Sequence, residues 1–178
     1  IKQTYRNRCT IAGPDGELAL SIPTVKPDTL KCPMKDIRIS DHGNWRHLHW
    51  NAIESAYNNT PFFEYYKDDF RPFYEKKYEF LIDFNEEICR LVCQLIDIQP
   101  NIERTSAYKM EFSAEETDFR ESIHPKKDFR TTDPEFSPQP YYQVFESKLG
   151  FLPNLSIIDL LFNMGPESLL VLKKPTRL

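Results

Sequence analysis

Long apolar runs, a surplus of positive charge, a disulfide framework and glycine-rich loops are all missing from this 178-residue chain, and each absence removes a class of function. No apolar stretch approaches the roughly 18 residues that a membrane-spanning helix needs, and no signal-peptide pattern opens the sequence. Lys and Arg number 23 against 27 Asp and Glu, a net charge of −4 with a pI near 5.6, so there is no electrostatic case for nucleic acid or an anionic membrane. The four cysteines (Cys9, Cys32, Cys89, Cys93) have no disulfide-framework spacing. Cys89 and Cys93 lie one helical turn apart in an apolar stripe, which predicts core packing, reduced thiols and a cytoplasmic protein. With only 5 glycines there is no dinucleotide fingerprint, and neither a G-x-S-x-G elbow nor an internal repeat is present. No cofactor motif is found.

The chemistry that is present gathers in Ser40–Phe63, which holds His42, His47 and His49, both tryptophans (Trp45, Trp50) and Arg46. The pattern predicts one helix with Asn44 as N-cap. Trp45, His49, Ile53, Ala56 and Tyr57 share a face, and Asn58-Asn59-Thr60-Pro61 is a stop. Arg46 and His47 fall in the first turn, where the positive end of the helix dipole disfavours cations. Their placement fits an anion docking there among free backbone N–H groups; two solvated side chains are the alternative. Histidines two apart on a helix face nearly opposite ways, whereas zinc helices use i,i+4 spacing, so no metal site is predicted. His49 and His42 titrate near neutrality and are candidates for general acid–base work, His49 above all, against the commoner role of a structural histidine.

Ahead of this stretch, residues 2–11 alternate, with Lys2, Thr4, Arg6, Arg8 and Thr10 on one face. Gly13-Pro14-Asp15-Gly16 predicts a tight turn, and Leu18, Leu20 and Ile22 give the returning strand a buried face. Arg6 and Arg8, pointing the same way, suit a carboxylate or phosphate, or else form an ordinary solvated strand face. Residues 23–33 are a proline-bearing loop, and 35–39 predict a short strand. The aromatic run 62–80, divided by Pro72, reads as core rather than a stacking platform. Residues 84–98 form an amphipathic helix capped by Asn85 or Asp83. Residues 102–112 are ambiguous. The polar, proline-rich segment 113–140 is a long loop that Phe119, Ile123, Phe129 and Phe136 would pin to the body. Residues 141–145 predict a strand, and 155–163 a helix apolar nearly all round, in which Asp159 requires a buried partner such as one of the arginines. The fold class is mixed α/β, an N-terminal β-hairpin and short strands packed with about four to five helices, with α+β as the alternative. The chain 1–178 makes one domain.

Three blocks together resemble the WbqC-like protein family: KQTYRNRCTIAG with GELALSIP, then W-R-x-x-H-W-x-x-I with PFF, and YYQVF with GF-x-PNLSIIDLLFN-x-GPE. The resemblance implies a setting in O-antigen or other surface-polysaccharide biosynthesis without fixing a reaction. Carried over by motif, it marks Arg6, Asn7, Arg8, Trp45, His49, Tyr57, Pro61, Asn154, Ser156 and Asp159. It also implies a strand and loop ahead of Ile1, consistent with the missing initiator methionine. Two functions follow as expectations. One is a transferase acting on a nucleotide sugar or acylated sugar, with a small anionic or phosphorylated substrate bound by Arg6, Asn7, Arg8, His42, Trp45, Arg46, Tyr57 and Asp159, and His49 as base. The other is a non-catalytic assembly protein using the aromatic run and the long loop.

Overall fold

The computed structural model describes residues 4–28, 32–120, 123–132 and 137–173. Residues 1–3, at the start of the predicted opening strand, and the side chains of Phe129 and Phe136 lie outside that description. The architecture is mixed: an antiparallel hairpin, β1 (Arg8–Gly13) and β2 (Gly16–Ser21), joined to helices. In chain order these are α1 (Trp45–Tyr57), α2 (Phe63–Phe70), α3 (Pro72–Glu75), α4 (Leu81–Leu95), α5 (Phe129–Thr132), α6 (Glu146–Leu149), α7 (Ile157–Met164) and α8 (Ser168–Lys173). No helix among the described residues is long and apolar enough to cross a membrane.

The hairpin pairs Arg8 with Ser21 through Gly13 with Gly16, and Gly16 takes φ 124°, which only glycine adopts without strain. Leu20 and Ile22 are buried as their spacing predicts, but Leu18 is 42% exposed because it sits beside the turn, beyond the reach of the core. The strand begins later than the alternation predicts. Tyr5–Asn7 form a turn in which Asn7 N–H donates to the Thr4 carbonyl, so Arg6 and Arg8 do not share a strand face. Asn7 instead closes the hairpin: its Nδ2 donates to the Ile22 carbonyl at 3.1 Å, and its own carbonyl accepts Ile22 N–H at 2.8 Å.

Two predicted strands are not formed. Residues 35–39 become a 3₁₀ turn (Met34–Asp36) followed by isolated bridges, Thr24 with Ile39 and Arg38 with Phe80, since the neighbouring segments run alongside for too few residues to make a ladder. Residues 141–145 are irregular and lead into α6, their polar groups being taken by side chains of α7. α4 starts at Leu81, before Asp83 and Asn85, so neither is its cap. On α4 Cys89 is exposed and Cys93 half-buried, which corrects the core placement of that pair; all four cysteines are free.

Two apolar clusters meet across α1, and the aromatic run is packed into both. In the first, Phe162 of α7 is fully buried, with ring centroids of Tyr57, Phe63 and Phe70 at 5.2, 5.1 and 5.4 Å, each edge-on. In the second, Trp45, Phe73, Tyr78 and Phe84 surround Leu81. Just past α7, Gly165 has φ 53°, and a Cβ there would lie 2.4 Å from the Phe62 ring, so glycine is required on two counts.

The segment from 102 to 120 stands apart from this core. Arg104 ties its start to Asp83 and Glu86 of α4, and beyond that it folds on itself. Arg120 lies 4.7 Å from the ring centroids of Tyr108 and Phe112 and pairs with Asp118. Phe119 and Ile123 are 56% and 61% exposed, so they do not pin the loop as predicted.

Candidate functional site

α1 opens without the devices that normally quiet a helix N-terminus. Asn44 makes no side-chain capping bond, and the first turn holds no acidic residue, so the dipole and its free N–H groups face outward uncompensated. A cavity of about 310 Å³ lies against this end, lined by Gly43, Asn44, Trp45, Arg46, His47 and Trp50 of α1 and its lead-in, and by Arg71, Tyr74, Glu75 and Lys77. Packing fixes its walls: Trp45 and Trp50 are 5% and 8% exposed, and the Tyr74 ring lies 5.7 Å from Trp50.

The cations of the cavity are partly committed. Arg71 Nε pairs with Glu75 at 2.7 Å. The Arg46 guanidinium lies 4.7 Å from the Trp45 ring centroid, with Nη1 donating to Asp41 Oδ1 at 2.8 Å, while Lys77 Nζ donates to Asp41 Oδ2 at 3.1 Å. These two bonds hold the Asp41 carboxyl below its usual range. Arg46 Nε and Nη2 are nevertheless buried with no hydrogen-bond partner among the described residues, as is Trp45 Nε1. Nε and Nη2 form one edge of the guanidinium, the fork that takes two oxygens of a phosphate or carboxylate side-on. Buried donors left unpaired are rare and costly.

A second polar cluster lies in the core. Asp159 is fully buried and accepts Tyr57 Oη on Oδ1 at 2.8 Å, with Tyr141 Oη at 2.7 Å and Gln143 Nε2 at 3.3 Å on Oδ2. Its partners are thus neutral donors, not the arginine that burial of a carboxylate suggests. Burial raises the Asp159 carboxyl, and burial beside that carboxylate raises the Tyr57 and Tyr141 hydroxyls. Tyr57 Oη also accepts Ala12 N–H at 3.2 Å, and Gln143 exchanges two bonds with the Leu152 backbone. Asp159 therefore fastens α7 to α1, β1 and the 141–152 segment. It is a joint of the fold.

Of the residues singled out from sequence, Trp45 and Arg46 meet at the cavity, and Tyr57 and Asp159 meet at the core joint. Arg6 is exposed on its turn, its carbonyl accepting Asn85 Nδ2 at 2.8 Å, and Arg8 is half-buried opposite Ser21; neither lines the cavity. His42 is exposed, its N–H donating to Ser40 Oγ. Asn154 takes φ 61° and donates to Tyr5 Oη, and Ser156 N–H donates to the Thr10 carbonyl, so both serve the join between α7 and the hairpin. Burial pushes the Cys9 thiol up to about 11, which disfavours the thiolate that a nucleophile needs.

His49 packs its ring against Trp45 (5.1 Å) and Tyr74 (6.4 Å) and hydrogen-bonds to the Ser21 backbone. Burial pushes it down to about 4. It is neutral at pH 7 and lies off the cavity, whereas His47 lines it, with Nε2 accepting from Asn51 Nδ2 at 2.9 Å. A depressed histidine stabilises the fold above its unfolded value near 6.5, and that contribution is lost as pH falls through the folded value near 4. Thermal melts at pH 7, 6 and 5 should therefore show acid destabilisation that shrinks in His49→Gln. An unchanged pH slope in the variant would contradict this.

Lys77 and Tyr74 had no sequence signal, because they come from segments that only the tertiary structure brings to α1, and Asp41, in the turn just before α1, belongs to no motif. The described residues hold no group of three His, Cys, Asp or Glu placed to share a metal ion. No curated protein and no solved structure matches this chain significantly. The model of one family does match, over residues 1–171, a span that takes in the hairpin, α1 with its cavity, and the α7 joint; the chain belongs to the WbqC-like protein family.

Proposed function

We propose that this protein is an enzyme of surface-polysaccharide precursor metabolism, a cytoplasmic transferase that binds a nucleotide sugar or acylated sugar through its anionic group in the cavity at the start of α1. The family's association with polysaccharide and O-antigen gene clusters supplies the context. The observation that carries the reading is the buried Arg46 fork, two parallel donors without acceptors beside a cavity also lined by Lys77 and an uncapped helix end. Phosphate oxygens satisfy all three at once. His47 lines the same wall and reaches a substrate hydroxyl as a base only by giving up the Asn51 Nδ2 that its Nε2 now holds.

Thermal denaturation against a panel of nucleotide sugars tests this. A ligand at 100-fold its Kd adds about 2.7 kcal/mol, a rise of several degrees for a chain of this size. Arg46→Met should cut that rise by more than half, the Lys77 ammonium and the α1 start remaining, while leaving the unliganded melt nearly unchanged. No shift with any phosphorylated ligand would refute the reading. The same panel separates it from a non-catalytic assembly protein, which would be stabilised by none of them. That second reading draws on Tyr108 and Met110, 78% and 81% exposed on the projecting segment. Its other proposed surface, the aromatic run, is mostly interior, with Phe63, Phe70, Phe73 and Tyr78 buried.

A further inference from the structure

We propose that Asp41 is a latch: it holds Arg46 turned away from the ligand, and an anionic ligand binds by replacing the Asp41 carboxylate on Arg46 and Lys77. The inference rests on the anion-binding reading of the cavity and adds how that cavity opens.

One carboxylate spans both cations, Oδ1 on Arg46 Nη1 at 2.8 Å and Oδ2 on Lys77 Nζ at 3.1 Å. That is the arrangement in which two oxygens of a phosphate would meet them, so Asp41 stands where a ligand oxygen pair belongs. The hold has a cost visible in the geometry. With Nη1 drawn to Asp41, the guanidinium lies over the Trp45 indole, and its other two nitrogens are shut away without acceptors. A resting position that strands two buried donors is a poor one for arginine, and it persists because Asp41 supplies the one carboxylate paired with Arg46 among the described residues. Asp41 itself is little invested: its side chain is 55% exposed and precedes the helix in the Ser40–Asn44 turn. An exposed ion pair is weak and exchangeable, whereas the fork gains two acceptors when it turns to a phosphate. Binding therefore swings Arg46 off Trp45 and frees Asp41 to solvent.

The test uses inorganic pyrophosphate as probe, by calorimetry and by tryptophan emission, on the full chain and on Asp41→Asn, with Asp41→Ser as a second variant lacking the carboxylate. The latch predicts pyrophosphate binding roughly five- to tenfold tighter in both variants than in wild type, the order expected on removing one carboxylate that competes for two cations. Their unliganded emission should already be shifted in the sense that saturating pyrophosphate produces in wild type, because the cation over the indole has left. In an Arg46→Gln background the gain from Asp41→Asn should shrink to less than about twofold, since charge removal alone is then all that remains. Wild-type binding with no tightening in either variant, or with the same gain in the Arg46→Gln background, overturns the latch and leaves the cavity reading standing. Absence of pyrophosphate binding in wild type and both variants overturns the two together.

Discussion

Asp159→Ala should cost the fold about 3–5 kcal/mol, because it strands the Tyr57 and Tyr141 hydroxyls, each a donor whose loss of partner costs roughly 1–3 kcal/mol before water relieves the outermost, and takes one of the two acceptors of Gln143 Nε2. For a chain of this length that lowers the melting temperature by roughly 10 °C or more, readable by calorimetry. Tyr141→Phe, at the half-buried edge of the cluster, should cost far less than the alanine change. A loss under about 1 kcal/mol for Asp159→Ala would show that the cluster is not a joint. The pH dependence has a definite sign. The folded Asp159 carboxyl is raised above 3.8, so the folded state takes up its proton first. The stability linked to that proton is fully present below 3.8 and is lost as pH rises through the raised folded value. Comparison with Asp159→Asn isolates this slope from the surface carboxylates Asp41, Glu86, Glu116 and Asp118, which are held low by their basic partners and act in the opposite direction.

Phe162→Ala should be of similar size, about 3–5 kcal/mol for a fully buried phenylalanine, near the upper end because three edge-on aromatic contacts go with it. Phe162→Leu keeps most of the volume and should cost about half as much or less. The backbone link from Phe62 N–H to the Phe162 carbonyl, 3.1 Å, survives both changes, so the difference reports the side chain alone. Urea denaturation gives the comparison, and an alanine variant within about 1 kcal/mol of the leucine variant would refute it. Tyr57 touches both sites, its hydroxyl on Asp159 and its ring edge on Phe162. The Asp159→Ala/Phe162→Ala double variant should therefore lose less than the sum of the two.

How much of this could be read from the residues depends on whether a local pattern carried the information. The hairpin turn at Gly13–Gly16, the helix from Trp45 and the apolar helix at Ile157 each have a period and a stop signal, and all three are present. The stretches 35–39 and 141–145 look like strands only because they are short and apolar or aromatic. A strand needs a neighbour along its length, and no local pattern can promise one. The cavity was half legible. Cations at an uncapped helix start are a sequence feature, and Arg46 is there. That His47 lines the cavity and His49 does not follows from rotation, since two residues on a helix turn about 200°. His49 shares its face with Trp45, Ile53 and Tyr57, a face the core claims, which leaves His47 to the outside. Asp41 and Lys77 sit 36 residues apart, and their meeting at Arg46 is a property of the folded chain.

The position of α7 has a consequence for how the molecule comes into being. Phe162 and Asp159 are synthesised after β1, α1 and α2, yet all three of those elements close upon them. A nascent polypeptide has completed those earlier elements before their covering arrives, so they wait with bare apolar faces, and consolidation follows the synthesis of α7. A message cut short ahead of Ile157 would then yield not a smaller working protein but a client for chaperones.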